Sequence, residues 1–107
     1  MVKLVQLFCL TLLLAALAHA RELLQDAPSY TAEEISKHNS RGDIWVGSLD
    51  TNKVYDLSSF VHPGGASAIL DVAGTVQKFT DAFNSQHGSS SIQKRMLQRY
   101  VIGDLAE

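Results

Sequence analysis

His62 and His87 are the residues most able to do chemistry, because each follows an apolar segment and precedes a flexible one. His62 opens the motif HPGG and comes directly after Phe60 and Val61. His87 follows Phe83 along the chain and is itself followed by a glycine and three serines. Neutral imidazole is a common metal ligand. The pattern therefore predicts two rings that face each other across a bound group.

A flat apolar macrocycle holding iron suits this arrangement, since haem iron takes one axial ligand from each face. Pro63 would stiffen the backbone beside His62, and Gly64 and Gly65 would let the main chain pass close to the macrocycle. A hydrogen-bonded turn histidine is the alternative interpretation of His62 alone. Zinc is a weaker use of the pair, because a structural site needs four ligands and the single cysteine, Cys9, lies in the expected leader.

Residues 1–20 are predicted to be a secretory signal peptide that is cleaved after Ala20. Lys3 precedes the apolar run LVQLFCLTLLLAAL, which ends just before the AHA sequence at positions 18–20. This run is shorter than the roughly 17–25 residues that span a bilayer. We therefore expect a soluble protein of the secretory lumen or the cell exterior, without a membrane span in the mature chain. Cleavage also removes the cysteine, so a buried cofactor is the obvious remaining stabiliser of so small a domain.

The composition predicts one small globular domain after the leader. Of the 107 residues, 46% are hydrophobic and 19% charged, and the formal net charge of −2 shows no basic excess for binding nucleic acid. We divide the chain into the signal peptide (1–20), a loose segment (21–29) and a haem-binding domain (30–107). The mixture of short strands and short helices indicates an α+β fold.

Local sequence signals place the elements of this domain. Thr31 and Glu34 form a capping-box pattern that predicts a helix. Pro63 suits the first turn of another helix, and Gly74 suits its end. His38, at the end of the first helix, is interpreted as solvated or helix-capping. The predicted helices are residues 32–38, 66–73, 76–84 and about 91–99, the last with Ile92, Met96 and Leu97 on its apolar face; the predicted strands are 44–46, 53–55 and 100–102.

Five segments together resemble the cytochrome b5 haem-binding domain family: YTAEEISKHN, DIWVGSLDTNKVYDLSSF, HPGG, DAFNSQH and YVIGDL. The resemblance covers about residues 30–105. It implies that His62 and His87 are the axial ligands of haem b, and that two helical hairpins clasp the haem over a sheet. It further implies a pocket lined by Phe60, Ile69, Phe83 and Leu97, and a second core containing Trp45 and Tyr55.

The sequence also departs from the family pattern. Relatives usually have two or three residues, often acidic, between the apolar pair that corresponds to Phe60 and Val61 and the HPGG motif, whereas Val61 directly precedes His62 here. Many relatives have acidic residues around the haem edge, but residues 64–91 contain only Asp71 and Asp81, against Lys78. Relatives bound to membranes have an apolar C-terminal tail, and this sequence ends in GDLAE.

These observations predict a one-electron carrier that catalyses no reaction alone. Two protein ligands on the iron would leave it no open position for a substrate. We expect a monomer whose partner is a redox protein, either a reductase or an electron acceptor. The alternative is a haem-binding module for transport, storage or sensing without productive electron transfer.

Overall fold

One mixed five-stranded sheet supports the other elements of residues 27–106, which are the residues that this computed structural model describes. The predicted signal peptide therefore lies outside the described residues. The sheet order is β1-β5-β4-β3-β2, with β1 parallel to β5 and all other pairs antiparallel. The strands are β1 (Ser29–Tyr30), β2 (Asn39–Ser40), β3 (Asp43–Ser48), β4 (Lys53–Asp56) and β5 (Val101–Leu105).

Four helices complete the described part of the chain, and the predicted α+β class is confirmed. The helices are α1 (Ala32–Ser36), α2 (Ser67–Val72), α3 (Gln77–His87) and α4 (Ser91–Gln98). The predicted capping box is present in α1: the Glu34 N–H donates to Thr31 Oγ1 at 3.1 Å, and the Thr31 N–H donates to Glu34 Oε2 at 2.8 Å. These bonds satisfy backbone donors that an uncapped helix would leave free.

Backbone hydrogen bonds attach the connection between α2 and α3 to the middle of β3. The Gly74 N–H donates to the Trp45 carbonyl at 2.7 Å, and the Gly47 N–H donates to the Thr75 carbonyl at 3.1 Å. The Thr75 hydroxyl oxygen then accepts the Phe79 N–H at 3.1 Å, within the first turn of α3. The start of α3 is thereby fixed to the sheet, and the position of its last residue, His87, follows from the length of the helix.

The buried core lies on one face of the sheet, beneath α2 and α3. Tyr55 and Val46 are almost fully buried there, together with Val72 and Phe79. Val46 is paired with Tyr55, while Trp45 is paired with Asp56. Because successive side chains of a strand alternate between faces, Trp45 and Tyr55 lie on opposite sides of the sheet, and the expectation that they share a second core is wrong.

Trp45 instead forms an aromatic cluster on the other face. The His38 ring stacks on Trp45 with centroids 3.7 Å apart and an interplanar angle of 15°, and the Tyr30 ring meets Trp45 edge-on at 4.8 Å. His38 Nδ1 also lies 2.6 Å from Asp43 Oδ1. The interpretation of His38 as merely solvated or helix-capping is therefore wrong, because its ring is held by two side chains.

Two of the predicted helix boundaries also differ from the structure. Helix α1 ends at Ser36 rather than at residue 38, and α3 continues past residue 84 to His87, whereas α2 agrees with its predicted range to within one residue at each end. Only one of the two expected helical hairpins, α3 with α4, has both of its helices. Turns occupy the chain between β4 and α2 instead. Among the helices that the structure describes, none has the length and apolar character needed to cross a bilayer.

Gly103 provides a test of how closely β1 and β5 approach. A Cβ atom at this position would lie 2.4 Å from the Pro28 carbonyl oxygen and 2.9 Å from Tyr30 Cε2. At Gly47 the nearest atoms are the flexible ends of side chains, at 3.0 Å and beyond. We expect Gly103→Ala to lower the free energy of unfolding by about 1–3 kcal/mol, and Gly47→Ala to cost less. Urea unfolding of both variants measures this, and an equal loss in the two would contradict it.

Candidate functional site

The HPGG motif forms a tight turn that begins at His62. The Gly65 N–H donates to the His62 carbonyl at 3.1 Å, and Gly64 has φ of +96°. Proline at the second position and glycine with positive φ at the third are the features of a type II turn. Pro63 thus serves a turn and not the first turn of a helix as predicted, because a residue with positive φ cannot continue a right-handed helix.

His87 lies at the end of α3, where the chain also reverses. The Gly88 N–H donates to the Asn84 carbonyl at 2.9 Å, and Gly88 has φ of +56°. The Ser90 N–H donates to the His87 carbonyl at 3.1 Å, and α4 begins at the next residue, Ser91. Both histidines therefore offer their carbonyl oxygen to the residue three positions on. Each side chain is placed by a chain reversal that glycine permits.

The two turns bring the imidazole rings into one cavity. The ring centroids of His62 and His87 are 6.2 Å apart, with an interplanar angle of 54°. Each ring also contacts a phenylalanine: Phe60 meets His62 edge-on at 6.1 Å, and Phe83 lies 5.0 Å from His87. The pairing that the sequence suggested from residue type alone is thus a spatial juxtaposition in the structure.

The cavity between these rings has a volume of about 530 Å³ and a mainly apolar lining. This volume falls within the range of small-molecule and cofactor sites, roughly 300–1,000 Å³. Four of the apolar residues expected to line a pocket do line it: Phe60, Ile69, Phe83 and Leu97.

Gly64 and Gly65 were expected to lie close to the bound group, but they are not among the residues that line the cavity. A Cβ atom at either position would meet no described atom within 4 Å, and Gly65 has φ of +117°. Their contribution visible in the structure is therefore the backbone conformation of the turn. Their predicted close approach to a macrocycle stays a prediction.

Several lining residues escaped the sequence analysis. The i, i+4 spacing of Phe79 and Phe83 indicates that they share one helix face, but it does not show which cavity that face contacts. Ile92, assigned to the apolar face of α4, is 63% exposed. The cavity-lining residues that the sequence analysis did not identify include Leu57, Val72, Phe79, Gln93, Met96 and Tyr100.

A row of aromatic rings connects His87 to the core. Phe83 lies 5.7 Å from Phe79, which lies 6.3 Å from Tyr55. On the other wall, Phe60 meets Tyr100 edge-on at 5.3 Å. Such contacts favour defined ring orientations. The histidine rings are consequently held by packing as well as by the turns.

The ring nitrogens of His62 and His87 can be compared with the ligands that a metal in this cavity would need. A metal that bonds one nitrogen of each ring at about 2.0 Å would hold the two centroids about 6 Å apart, close to the separation observed. His62 Nδ1 is buried without a hydrogen-bond partner among the described residues, so its bonding capacity is open to a bound group or to water. Within the same residues, no three His, Cys, Asp or Glu side chains converge on one point, and a zinc ion there would lack two of its usual four ligands.

Comparison with known proteins agrees with this geometry. Residues 31–106 match the sequence model of the family described as "Cytochrome b5-like Heme/Steroid binding domain". Cytochrome b5 of Rhizopus stolonifer is 40% identical over 83 residues, which are 76% of this chain and 60% of that protein. Nitrate reductase [NADH] of Volvox carteri is 46% identical over 78 residues, which are 71% of this chain and 8% of that protein. The chain thus spans at most 60% of the length of these two relatives.

A solved structure shows the same fold over its whole length. Cytochrome b558 of Ectothiorhodospira vacuolata, described as a prokaryotic homologue of cytochrome b5, is 38% identical to this chain. The TM-score is 0.63, and the match covers 74% of this chain and 99% of that one.

Phe83 tests the support of the His87 ring. Phe83→Ala removes the ring that contacts both Phe79 and His87, and we expect it to lower the free energy of unfolding by about 2 kcal/mol or more. Val61→Ala is the control, because Val61 is 86% exposed and its truncation should stay within about 0.5 kcal/mol. Urea unfolding compares the two. A Phe83→Ala variant as stable as Val61→Ala would contradict the packing described here.

Tyr55 makes stability depend on alkaline pH. Burial raises the pKa of its phenol above the usual value of 10.0, against the lowering effects of the Thr51 hydrogen bond and the Lys53 charge. The unfolded chain then ionises first, so stability is complete below about pH 10 and falls as the pH rises through the raised pKa. We expect Tyr55→Phe to flatten this fall in denaturation curves measured from pH 9 upwards. Equal alkaline losses in both proteins would contradict the assignment.

Proposed function

The chain belongs to the cytochrome b5-like haem/steroid-binding domain family, and from this membership we propose that it is a b-type haem protein that carries single electrons. His62 and His87 are proposed as the two axial ligands of the iron. The observation that supports this most directly is the 6.2 Å separation of their rings inside an apolar cavity. The family description also covers steroids, but a steroid contains no metal ion to which two opposed imidazoles could bind.

Different residues of the cavity would orient, enclose and ligate such a group. The turn at HPGG and the end of α3 orient the two imidazoles from opposite sides. Ile69, Phe83 and Leu97 provide apolar walls that exclude water. When bound, haem supplies an iron centre that gains or loses one electron. With two protein ligands, the site is suited to electron transfer and not to binding oxygen or a substrate at the metal.

We further propose that the protein acts alone, as a soluble monomeric carrier in the secretory lumen or outside the cell, with a redox protein as its partner. The support for the location is the signal-peptide pattern of residues 1–20. The support for a carrier that is not itself an enzyme is the similarity to proteins described as cytochrome b5 and as its homologue cytochrome b558.

Replacement of each histidine tests the ligand assignment. We expect His62→Ala and His87→Ala to lose stable six-coordinate haem, because each removes one of the two axial bonds. Absorption spectra of the reconstituted proteins measure this, with His38→Ala as a control whose ring lies outside the cavity. Wild-type protein should show low-spin haem that binds carbon monoxide poorly when reduced. A normal six-coordinate spectrum in either cavity variant would exclude that residue as a ligand.

The same protein distinguishes a carrier from a haem-transport or sensing module. A carrier should keep its haem in the presence of an apo-acceptor, such as apomyoglobin, while it is reduced and reoxidised repeatedly. Rapid haem loss, together with no reduction by a chemical or enzymatic reductant, would favour the alternative.

A further inference from the structure

The outer surface of α4 differs in charge from the rest of the cavity rim. Lys94, Arg95 and Arg99 are all exposed there, and the sequence from 91 to 103 contains no acidic residue. None of the three takes part in an ion pair within the part of the chain that the structure describes. The segment 91–99 therefore carries three positive charges without an ion-pair partner among the described residues, on the outer side of the wall that Gln93, Met96 and Leu97 contribute to the cavity.

The opposite wall is weakly acidic, because Asp71 and Asp81 stand against a single lysine, Lys78. Asp71 Oδ1 lies 3.4 Å from Lys78 Nζ, and Asp81 Oδ1 accepts a hydrogen bond from Gln77 Nε2 at 2.9 Å. The charge around the cavity mouth is thus concentrated on one side, and a field of one sign is what steers a charged partner.

Apolar side chains lie among the positive charges of α4. Ile92 is 63% exposed and Met96 is 40% exposed. They stand four residues apart and so share one side of the helix, next to Gln93 and Leu97, which line the cavity. Val61, adjacent to His62, is 86% exposed. Exposed apolar groups surrounded by Arg and Lys are typical of protein interfaces, in which Met and Arg are enriched.

Helix stability alone explains this surface only in part. Positive side chains near a helix C-terminus interact favourably with the helix dipole, by about 0.3–1 kcal/mol each, and this accounts for Arg95 and Arg99. It does not account for Lys94, nor for the exposure of Ile92. Burial of that side chain would be favourable, and the fold leaves it in water.

We propose that Ile92, Arg95, Met96 and Arg99, which stand at positions i, i+3, i+4 and i+7 on one side of α4 and its C-cap and which we name the α4 face, dock an acidic electron-transfer protein that carries an apolar spot at the centre of its contact surface. This inference rests on the proposed electron carriage, and it adds the chemistry of the partner. A protein is favoured over an anionic membrane, because recognition of anionic lipids usually involves about four to eight clustered Lys and Arg residues, and residues 91–99 contain only three.

Small redox probes of opposite charge test the sign of the field at this surface. The reduced holoprotein gives one electron to either hexacyanoferrate(III), an anion, or tris(1,10-phenanthroline)cobalt(III), a cation. At low salt, we expect Arg95→Glu/Arg99→Glu to slow the reaction with the anion by on the order of tenfold and to speed the reaction with the cation. The matched control is Lys37→Glu/Arg41→Glu, which makes the same charge change at exposed positions outside the cavity lining. Equal effects of the two double variants would overturn the proposal.

A binding measurement without electron transfer tests the partner chemistry. The probe is a 20-residue polyglutamate peptide with two central leucines, titrated into the holoprotein by fluorescence anisotropy. We expect Arg95→Glu/Arg99→Glu to weaken binding at least tenfold, and Ile92→Ser to weaken it several-fold without changing the rate with hexacyanoferrate(III). Vesicles containing 30% phosphatidylserine serve as the competing surface. Binding to vesicles through α4, without binding to the peptide, would overturn the choice of a protein partner.

The two measurements distinguish a failure of the proposed electron carriage from a failure of the proposed docking surface. If the holoprotein reduces neither complex, the proposed electron carriage is wrong, whereas peptide binding still reports on the α4 face. If both complexes are reduced at rates that α4 substitutions leave unchanged, the carrier stands and the docking surface is refuted.

Discussion

Two imidazole rings held 6.2 Å apart in an apolar cavity impose the main constraint on this small domain. The rings come from distant parts of the chain, so each segment needs its own attachment to a common frame. His62 is placed by a turn whose proline and glycine define its backbone, and His87 by a helix whose start is bonded to β3. The aromatic row from Tyr55 to Phe83 then limits the movement of the second ring. The sheet is the frame, and its core is continuous with the cavity wall.

The site could be predicted from the sequence mainly where residue type alone restricts the chemistry. Histidines after apolar segments suggested an opposed pair, and the family resemblance assigned four apolar residues that do line the cavity. The turn at HPGG was assigned wrongly to a helix start, because proline suits both positions and only the Gly65–His62 hydrogen bond decides between them. Met96 was missed as a lining residue, since helix periodicity shows which residues share a face but not what that face contacts, and Tyr100 was missed because it was assigned to the strand that follows.

The fold was predictable in class and less so in detail. The central strands β3 and β4 and the capping box of α1 have clear local signals. Strands β1 and β2 have two residues each, too few for any alternation to be visible in the sequence. The opposite orientation of Trp45 and Tyr55 follows from strand register, which depends on pairing between distant residues. The contacts of the His38 ring were missed for a similar reason. Its partners Asp43 and Trp45 belong to a strand that the sequence does not show to be adjacent.

The shortness of β1 and β2 has a consequence for crowded solutions. These two strands form both edges of the sheet in the described part of the chain, and an exposed edge is where a foreign strand can add to a sheet by backbone pairing. The β2 edge presents a template of only two residues, which is too brief to hold an added strand in register. At that edge the fold limits polymerisation through its sheet, so self-assembly is restrained on a surface separate from the cavity.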